Sequence, residues 1–441
     1  MLLDKRLLFN NQCLRMGFRR VEYGLNKMPN PRKYTPRAFE IIDTSLREGL
    51  QSPLLDDVGK YNLSSEERID LAVSQMKYGV VFFEVFSPVV NEKEGNCLSD
   101  LIKARNNFYK QTKRPSFILS HVRCHPDDIK QAIAAGVDGL NLYIGTSEEI
   151  KKFGHGKKID EVIGIVRPLL KNLRKNYPSL LLRFSGEDAF RTPIKELFAV
   201  YDEVVEFIDR LGTPDTVGIA NPEKVAERVT ALKKRYPKIP LEGHFHNDRG
   251  YSLVNAVTAV KAGMQYIQTT VLGIGERSGI TSLTGLLCNL YLEKPQLVKG
   301  FAVEQSYSIN VLLSSILGIQ VSTTEPVSLT NRTHSAGPHT SAVIKNSSAY
   351  EGHDLSVFGV NERRLLLGPL SGRHIIKYYL VNVLNYVKVT DEIANAIATE
   401  FKKRTGEITN GKTPTQFLEE IASSFKLAQL SKPVSHKENL K

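Results

Sequence analysis

From residue 39 onward, short apolar runs alternate with longer amphipathic stretches. Eight runs stand out: FEIIDTSL (39–46), VVFFEVF (80–86), FILSHV (117–122), GLNLYIG (139–145), LLLRFSG (180–186), TVGIA (216–220), LEGHFHN (241–247) and YIQTTVLGIG (266–275). Runs of this length predict β-strands, and the stretches between them predict helices. In SSEERIDLAVSQMKYG, the apolar residues Ile69, Val73 and Met76 recur at helical spacing. In NPEKVAERVTALKKRYP, Asn221 offers a helix start and Pro237 a stop. Strand–helix alternation implies parallel pairing, because parallel neighbours need a crossover connection. Eight units in about 250 residues suit a closed (β/α)8 barrel. An open doubly wound sheet would carry GxGxxG after its first strand, and none stands there.

Near residue 295 the rhythm stops. Residues 39–294 are therefore expected to form the catalytic barrel. Residues 295–370 would form a linker or lid subdomain carrying the polar segment LTNRTHSAGPHTSAVIKNSSAYEGHD. Residues 371–441 would form a C-terminal helical region, with helices around HIIKYYLVNVLNYV and PTQFLEEIASSF. The expected class is α/β, a (β/α)8 barrel followed by a small, mainly helical C-terminal region.

Charge changes the picture at one end only. Of a net +12, residues 1–38 carry +7, from nine basic and two acidic side chains. The rest is unremarkable, so the basic excess belongs to an N-terminal extension and does not make the body a nucleic-acid binder. The extension reads in three ways: a structural or disordered arm, a mitochondrial presequence over residues 1–27, or a chain whose real start is Met28. Four scattered cysteines (Cys13, Cys97, Cys124, Cys288) give neither a disulfide framework nor a zinc knuckle. The expected location is cytoplasmic, or mitochondrial if the presequence reading holds. No apolar run approaches the length of a membrane span, so no membrane association is expected.

A barrel carries its chemistry on the loops after its strands. Strand 1 runs into Asp43-Thr-Ser-Leu-Arg47-Glu48-Gly49-Leu50-Gln51, and strand 7 into Glu242-Gly-His244-Phe-His246. Alternate strand residues share a face, so Glu242, His244 and His246 point together into the barrel mouth. Two histidines at i, i+2 with Glu48 across the mouth make a set of three ligands for a divalent metal (Zn, Mg, Mn or Co). The alternative is a pair of buried histidines bonded to neighbours. Arg183 and Ser185 share a face at the end of strand 5, where Arg183 reads as a carboxylate clamp or as half of an internal salt bridge with Glu187 as the candidate partner. His121 and Arg123 share a face on strand 3, and Thr216, placed at the start of strand 6, can hydrogen-bond a carboxylate. The Gly-rich GIGERSG (273–279) is a weak phosphate signal raised by its position.

Taken together, DTSLREGLQ (43–51), HFHND (244–248) and GIGERSG (273–279) resemble the alpha-isopropylmalate/homocitrate synthase family. These are metal-dependent Claisen-condensing barrels, whose group also includes HMG-CoA lyase-like enzymes. HVRCHPDDIKQAIAAGVDGLNLYIGTS (121–147), RFSGEDAFR (183–191), DTVGIANP (215–222) and THSAGPHTSAVIKNSSAYE (333–351) point to its homocitrate synthase branch. The resemblance runs from about residue 40 to about residue 430. It implies an acyltransferase that condenses acetyl-CoA with a 2-oxo acid, 2-oxoglutarate first among them. It further implies Glu48, His244 and His246 as metal ligands, and Arg47, His121, Arg183 and Thr216 as holding the 2-oxo acid. His339 would be the general base, assisted by Tyr350, with Arg47 stabilising charge. Gln51, Glu84, Ser185, Glu187 and Glu242 would line the pocket. The segment carrying His339 would reach the barrel of a second subunit, which implies a homodimer with a shared site.

Asn141 stands where that branch shows Asp, and Asn221 where it shows Thr. Leu50 replaces an acidic residue of the strand 1 motif, and Pro338 precedes His339. These departures leave the ligand and base positions intact and bear on the choice of 2-oxo acid and on regulation. Competing activities are a 2-isopropylmalate- or citramalate-type synthase and an HMG-CoA lyase-like carbon–carbon lyase.

Overall fold

The computed structural model describes residues 28–60, 62–408, 411–425 and 427–428. The expected presequence, residues 1–27, lies outside the described residues. The chain divides into two compact units, one up to Val327 and one from Ser328.

In the first unit eight parallel strands close a barrel. They are β1 (Glu40–Asp43), β2 (Phe82–Val85), β3 (Phe117–Arg123), β4 (Gly139–Gly145), β5 (Leu181–Glu187), β6 (Arg210–Asp215), β7 (Leu241–Phe245) and β8 (Tyr266–Thr269). Closure comes from β8 pairing with β1, Glu40 opposite Tyr266. A helix follows each strand: α1 (Ser65–Tyr78), α2 (Glu92–Thr112), α3 (Pro126–Ala134), α4 (Ile159–Asn176), α5 (Ile194–Asp202), α6 (Pro222–Arg235), α7 (Ser252–Lys261) and α8 (Leu283–Glu293). The expected barrel is therefore the observed one.

Local chemistry sets the helix ends. Ser64 and Glu67 form a capping box at the start of α1, and Gly79 ends it at φ 113°, where a side chain would run into the Gly300 carbonyl. The buried stripe of α1 is Leu71, Ala72, Gln75 and Met76, with Ile69 and Val73 at its edge. Asn221 caps α6, as its sequence suggests.

Strand 6 is displaced from its expected place. TVGIA (216–220) is the loop and helix approach; the strand is RLGTPD, ending at Asp215. Thr216 thus follows the strand rather than beginning it, on the face where barrel chemistry resides. Residues 295–327 pack on the barrel: in α9 (Ser306–Leu317), Ile309, Leu313 and Leu317 join the main core, and Ser306 Oγ lies 2.6 Å from Tyr78 Oη.

Inside the barrel, side chains stack in layers. At the N-terminal end Ile42, Phe82, Phe117, Leu119, Leu181 and Tyr266 pack together, with Met28 and Tyr34 against them. Arg32 pairs with Asp209 at 2.7 Å and Arg37 with Glu40. Two charges of the basic extension are thus spent on the barrel itself.

The second unit holds α10 (Gly337–Lys345), α11 (Arg373–Tyr378), α12 (Asp391–Arg404) and α13 (Pro414–Ser424). Its core includes Ile376, Leu380, Ile397, Phe401, Phe417 and Ile421. The sequence pattern had shown helices at α11 and α13 only. α12 buries Ala394, Ile397, Ala398 and Phe401, a stripe half made of alanine and so weakly apolar. No described helix is long and apolar enough to cross a membrane.

Candidate active site at the C-terminal mouth of the barrel

The C-terminal ends of the strands open into a cavity of about 510 Å3. Its lining gathers Arg47, Glu48, Gln51, His121, Arg183, Ser185, Glu187, Thr216, His244 and His246 from five strand ends. These residues lie up to 199 positions apart in sequence; only closure of the barrel makes them neighbours.

On the cavity lining, Glu48, His244 and His246 each bring one ligand atom to within 4.8 Å of the others. The two Nε2 atoms lie 3.0 Å apart, and Glu48 Oε1 lies 3.9 Å from His246 Nε2. Gln268 Oε1 accepts a hydrogen bond from His244 Nδ1 at 2.7 Å, which leaves the Nε2 lone pair facing the cavity. Burial, and then the His246 ring, push His244 down to about 3; burial also lowers His246. Both rings are therefore neutral near pH 7. Burial alone would raise the Glu48 carboxyl, but Arg47 and the two histidines outweigh it and hold it at about 2. Two neutral imidazoles with Nε2 atoms 3.0 Å apart and an ionised carboxylate beside them form a donor set that fits a divalent cation.

The Gly-rich loop after β8 braces the triad. Glu276 N–H donates to Glu48 Oε1 at 3.0 Å, and a Cβ on Gly275 would crowd Glu48 Cγ at 3.1 Å. Glycine there permits the close approach.

Beside the triad, Arg47 pairs with Glu48 and donates from Nε to Glu84 Oε1 at 2.8 Å. Burial opposes its charge, yet Glu84 and Glu48 keep it protonated. Elsewhere on the lining, Arg183 Nη1 donates to Ser185 Oγ at 2.8 Å, and its Nε lies 3.0 Å from Glu242 Oε1. Arg183 is thus both a cavity residue and half of an internal ion pair, with Glu242 and not Glu187 as the partner. His121 stacks on Tyr143, ring centroids 4.3 Å apart, and its Nδ1 lies 3.6 Å from Glu84 Oε2. Burial, then Arg47, lower its pKa and keep it neutral. Burial, then Asp188, raise that of Glu187. Thr216 Oγ1 accepts from Asp188 N–H at 2.9 Å.

Glu84 and Glu242, expected on the lining, are fully buried beneath it. Glu242 stands two residues before His244 on the same inward face, hence one layer deeper. Arg123, expected to share the His121 face, lies at the rim with its side chain largely exposed and paired with Asp128 at 2.7 Å. Gln268 and Tyr143 are site residues that the sequence pattern missed. Gln268 sits inside the apolar run of β8, and the one available clue was a polar residue at an inward-facing position of an otherwise apolar strand.

In the second unit, His339 and Tyr350 stack with ring centroids 3.8 Å apart and 22° between planes. Both are exposed. Next to Tyr350 in the chain, Glu351 gathers Arg332, His334 and Arg363.

A parallel barrel with a carboxylate–bis-histidine triad and arginines at its C-terminal mouth defines a class: barrels that act on oxygen-rich anions beside a cation. The comparisons with known proteins narrow this. The HMGL-like family matches residues 38–314, and the homocitrate synthase post-HMGL domain-like family matches residues 327–408. The chain belongs to the HMGL-like family. It is 32% identical to the mitochondrial homocitrate synthase of Saccharomyces cerevisiae, over 85% of this chain and 82% of that protein. It is 30% identical to the homocitrate synthase of Pyrococcus abyssi, over 77% of this chain and 89% of that protein. A solved HMG-CoA lyase from Pseudomonas aeruginosa shares the fold, with a TM-score of 0.54 at 16% identity over 65% of this chain and 95% of that chain.

Proposed function

We propose that this chain condenses acetyl-CoA with 2-oxoglutarate to give homocitrate and free CoA. The observation that carries the reading is one cavity lined both by a cation-type triad with Arg47 and by Arg183, Ser185 and His121. A keto acid with a second carboxylate spans such a site. Held by Glu48, His244 and His246, a divalent cation would supply Lewis acidity to the ketone. Arg47 stabilises negative charge developing on the ketone oxygen. Arg183, Ser185, His121 and Thr216 orient the carboxylates. His339 takes a proton from the acetyl methyl group, with Tyr350 stacked beside it to fix its ring. The new carbon–carbon bond is followed by attack of water on the thioester, which releases the CoA thiol.

Charge supports the dicarboxylate. Around the cavity, Arg47, Arg183 and Arg210 pair with Glu48, Glu84 and Glu242. A divalent cation would add two positive charges to this paired network, and a dianion would offset them. A branched monocarboxylate such as 2-oxoisovalerate would leave one charge and several hydrogen-bonding groups unpaired. Thiol release measured with 2-oxoglutarate, 2-oxoisovalerate, pyruvate and oxaloacetate should favour 2-oxoglutarate on the order of 10²-fold or more in kcat/KM. Equal or better turnover of 2-oxoisovalerate overturns the assignment.

His339 and Tyr350 are further proposed to act on the barrel of a second subunit, as an exposed catalytic pair would in a homodimer with a shared site.

A further inference from the structure

Arg210, on β6, is a buried charge inside the barrel. Its side chain is 2% exposed, and its guanidinium lies against the rings of Phe82 and Tyr266, 4.9 and 4.7 Å from their centroids. None of its three nitrogens makes a hydrogen bond among the described residues. Burying a cation this way is costly, so the position calls for a compensating role. Among the described residues, the one carboxylate paired with it is Glu242, whose Oε2 lies 3.3 Å from Arg210 Nη1. The other oxygen of Glu242 faces Arg183.

The sign of the charges gives the row its meaning. An isolated Arg183–Glu242 pair is neutral, and its carboxylate would compete with any acid in the cavity for Arg183. With Arg210 on the other side of Glu242, the row of three carries a net positive charge, and its member on the cavity lining is Arg183. Elsewhere on the lining, Arg47 stands between Glu48 and Glu84, a set with the reverse balance, beside the cation triad.

Geometry adds a second, independent observation. Position 212, two residues beyond Arg210 on the same inward face of β6, is glycine. A Cβ there would fall 2.5 Å from Arg183 Nε and Nη2. That space is occupied by the Arg183 guanidinium, which lies over bare backbone.

We propose that Arg210 and Gly212 are specificity-determining positioning residues. Arg210, acting through Glu242, keeps Arg183 free to bind an anion, and Gly212 gives Arg183 its seat. Together they make the Arg183 side of the cavity select 2-oxo acids that carry a second carboxylate. This rests on the reading of the cavity as a 2-oxo acid site, and direct binding is used to separate the two.

The experiment measures calorimetric binding of 2-oxoglutarate and 2-oxoisovalerate, with steady-state thiol release alongside, on the native chain and on Arg210→Met, Arg210→Lys and Gly212→Ala. If native protein binds and turns over neither acid, the reading of the cavity fails. If native protein prefers 2-oxoglutarate, Arg210→Met should raise its Kd and KM roughly tenfold or more, with kcat changed far less and 2-oxoisovalerate binding little affected. Arg210→Lys should recover part of the preference. Gly212→Ala keeps every charge and should produce the same loss by displacing Arg183, which covers the case in which Arg210→Met does not fold. The proposal is overturned if folded Arg210→Met and Gly212→Ala keep the native preference. It is equally overturned if they weaken both acids alike, or if Arg210→Met fails to fold and Gly212→Ala keeps the preference.

Discussion

Gln268 is a neutral amide set among ionisable groups: its Nε2 donates to Glu242 at 2.8 Å and Glu84 at 3.1 Å, while its carbonyl receives His244 Nδ1. It fixes which nitrogen of His244 faces the cavity. Replacing it with leucine of similar size should weaken divalent-metal affinity by about 10–100-fold, as is usual for a ligand's hydrogen-bond partner. His246→Ala should lose bound metal altogether, since two ligands rarely hold the ion. Elemental analysis after dialysis against graded chelator checks both, and undiminished metal in His246→Ala would remove the triad from consideration. Asn141 belongs to the same layer, fully buried and donating to Glu84 Oε2. If lysine were to enter the 2-oxo acid site, its ammonium would need a carboxylate at this layer. Asparagine supplies no opposite charge, so lysine should inhibit weakly, and Asn141→Asp should tighten inhibition roughly tenfold. Tight inhibition of the native chain, unchanged by the substitution, would show that position 141 is irrelevant to it. The residues that the sequence exposed were those in motifs beside strand ends, such as Glu48 and His244. Gln268, Tyr143 and Arg210 stayed hidden because their roles depend on which side chain lies opposite across a closed barrel, and strand register is not written in any one strand.

In the second unit, Glu351 ties three segments together by pairing with Arg332, His334 and Arg363. Chiefly its hydrogen bond with Arg363, followed by His334 and Arg332, brings the carboxyl down to about 2 against the opposing effect of burial. Because the folded pKa lies below the unfolded one, the pairing stabilises fully above about 4.5 and is lost as pH falls toward 2. Glu351→Gln should lower the melting temperature of this unit at pH 7 by several degrees and flatten its decline between those limits. A melting curve against pH that matches the native one at every point would remove the carboxylate from the account. Elements differ in how plainly their sequences announce them. β7 is legible because its inward residues are polar and its outward ones apolar. β6 is not: RLGTPD contains Gly, Pro and Asp, which read as a turn, whereas in the barrel Gly212 seats Arg183. α12 was missed because alanines supply half of its packing stripe, and their contribution depends on close approach by Phe417 and its neighbours.

For the whole molecule, a shared site makes a direct expectation. Arg47→Ala removes a barrel function and His339→Ala a second-unit function, so each variant should be inactive alone. Mixing them under conditions of proven subunit exchange should restore part of the thiol release, because hybrid dimers carry one intact site. No recovery would mean that each chain completes its own site. The basic N-terminal region contributes differently. Its described part runs under the barrel, where Tyr34 packs edge-on to Phe82 and Phe117 and bonds Glu40, while Arg32 and Arg37 are held by Asp209 and Glu40. This segment is a cork in the end opposite the catalytic mouth. A polypeptide beginning at Met28 would keep the cork whole, whereas trimming past Tyr34 would uncork a ring of aromatic side chains to water.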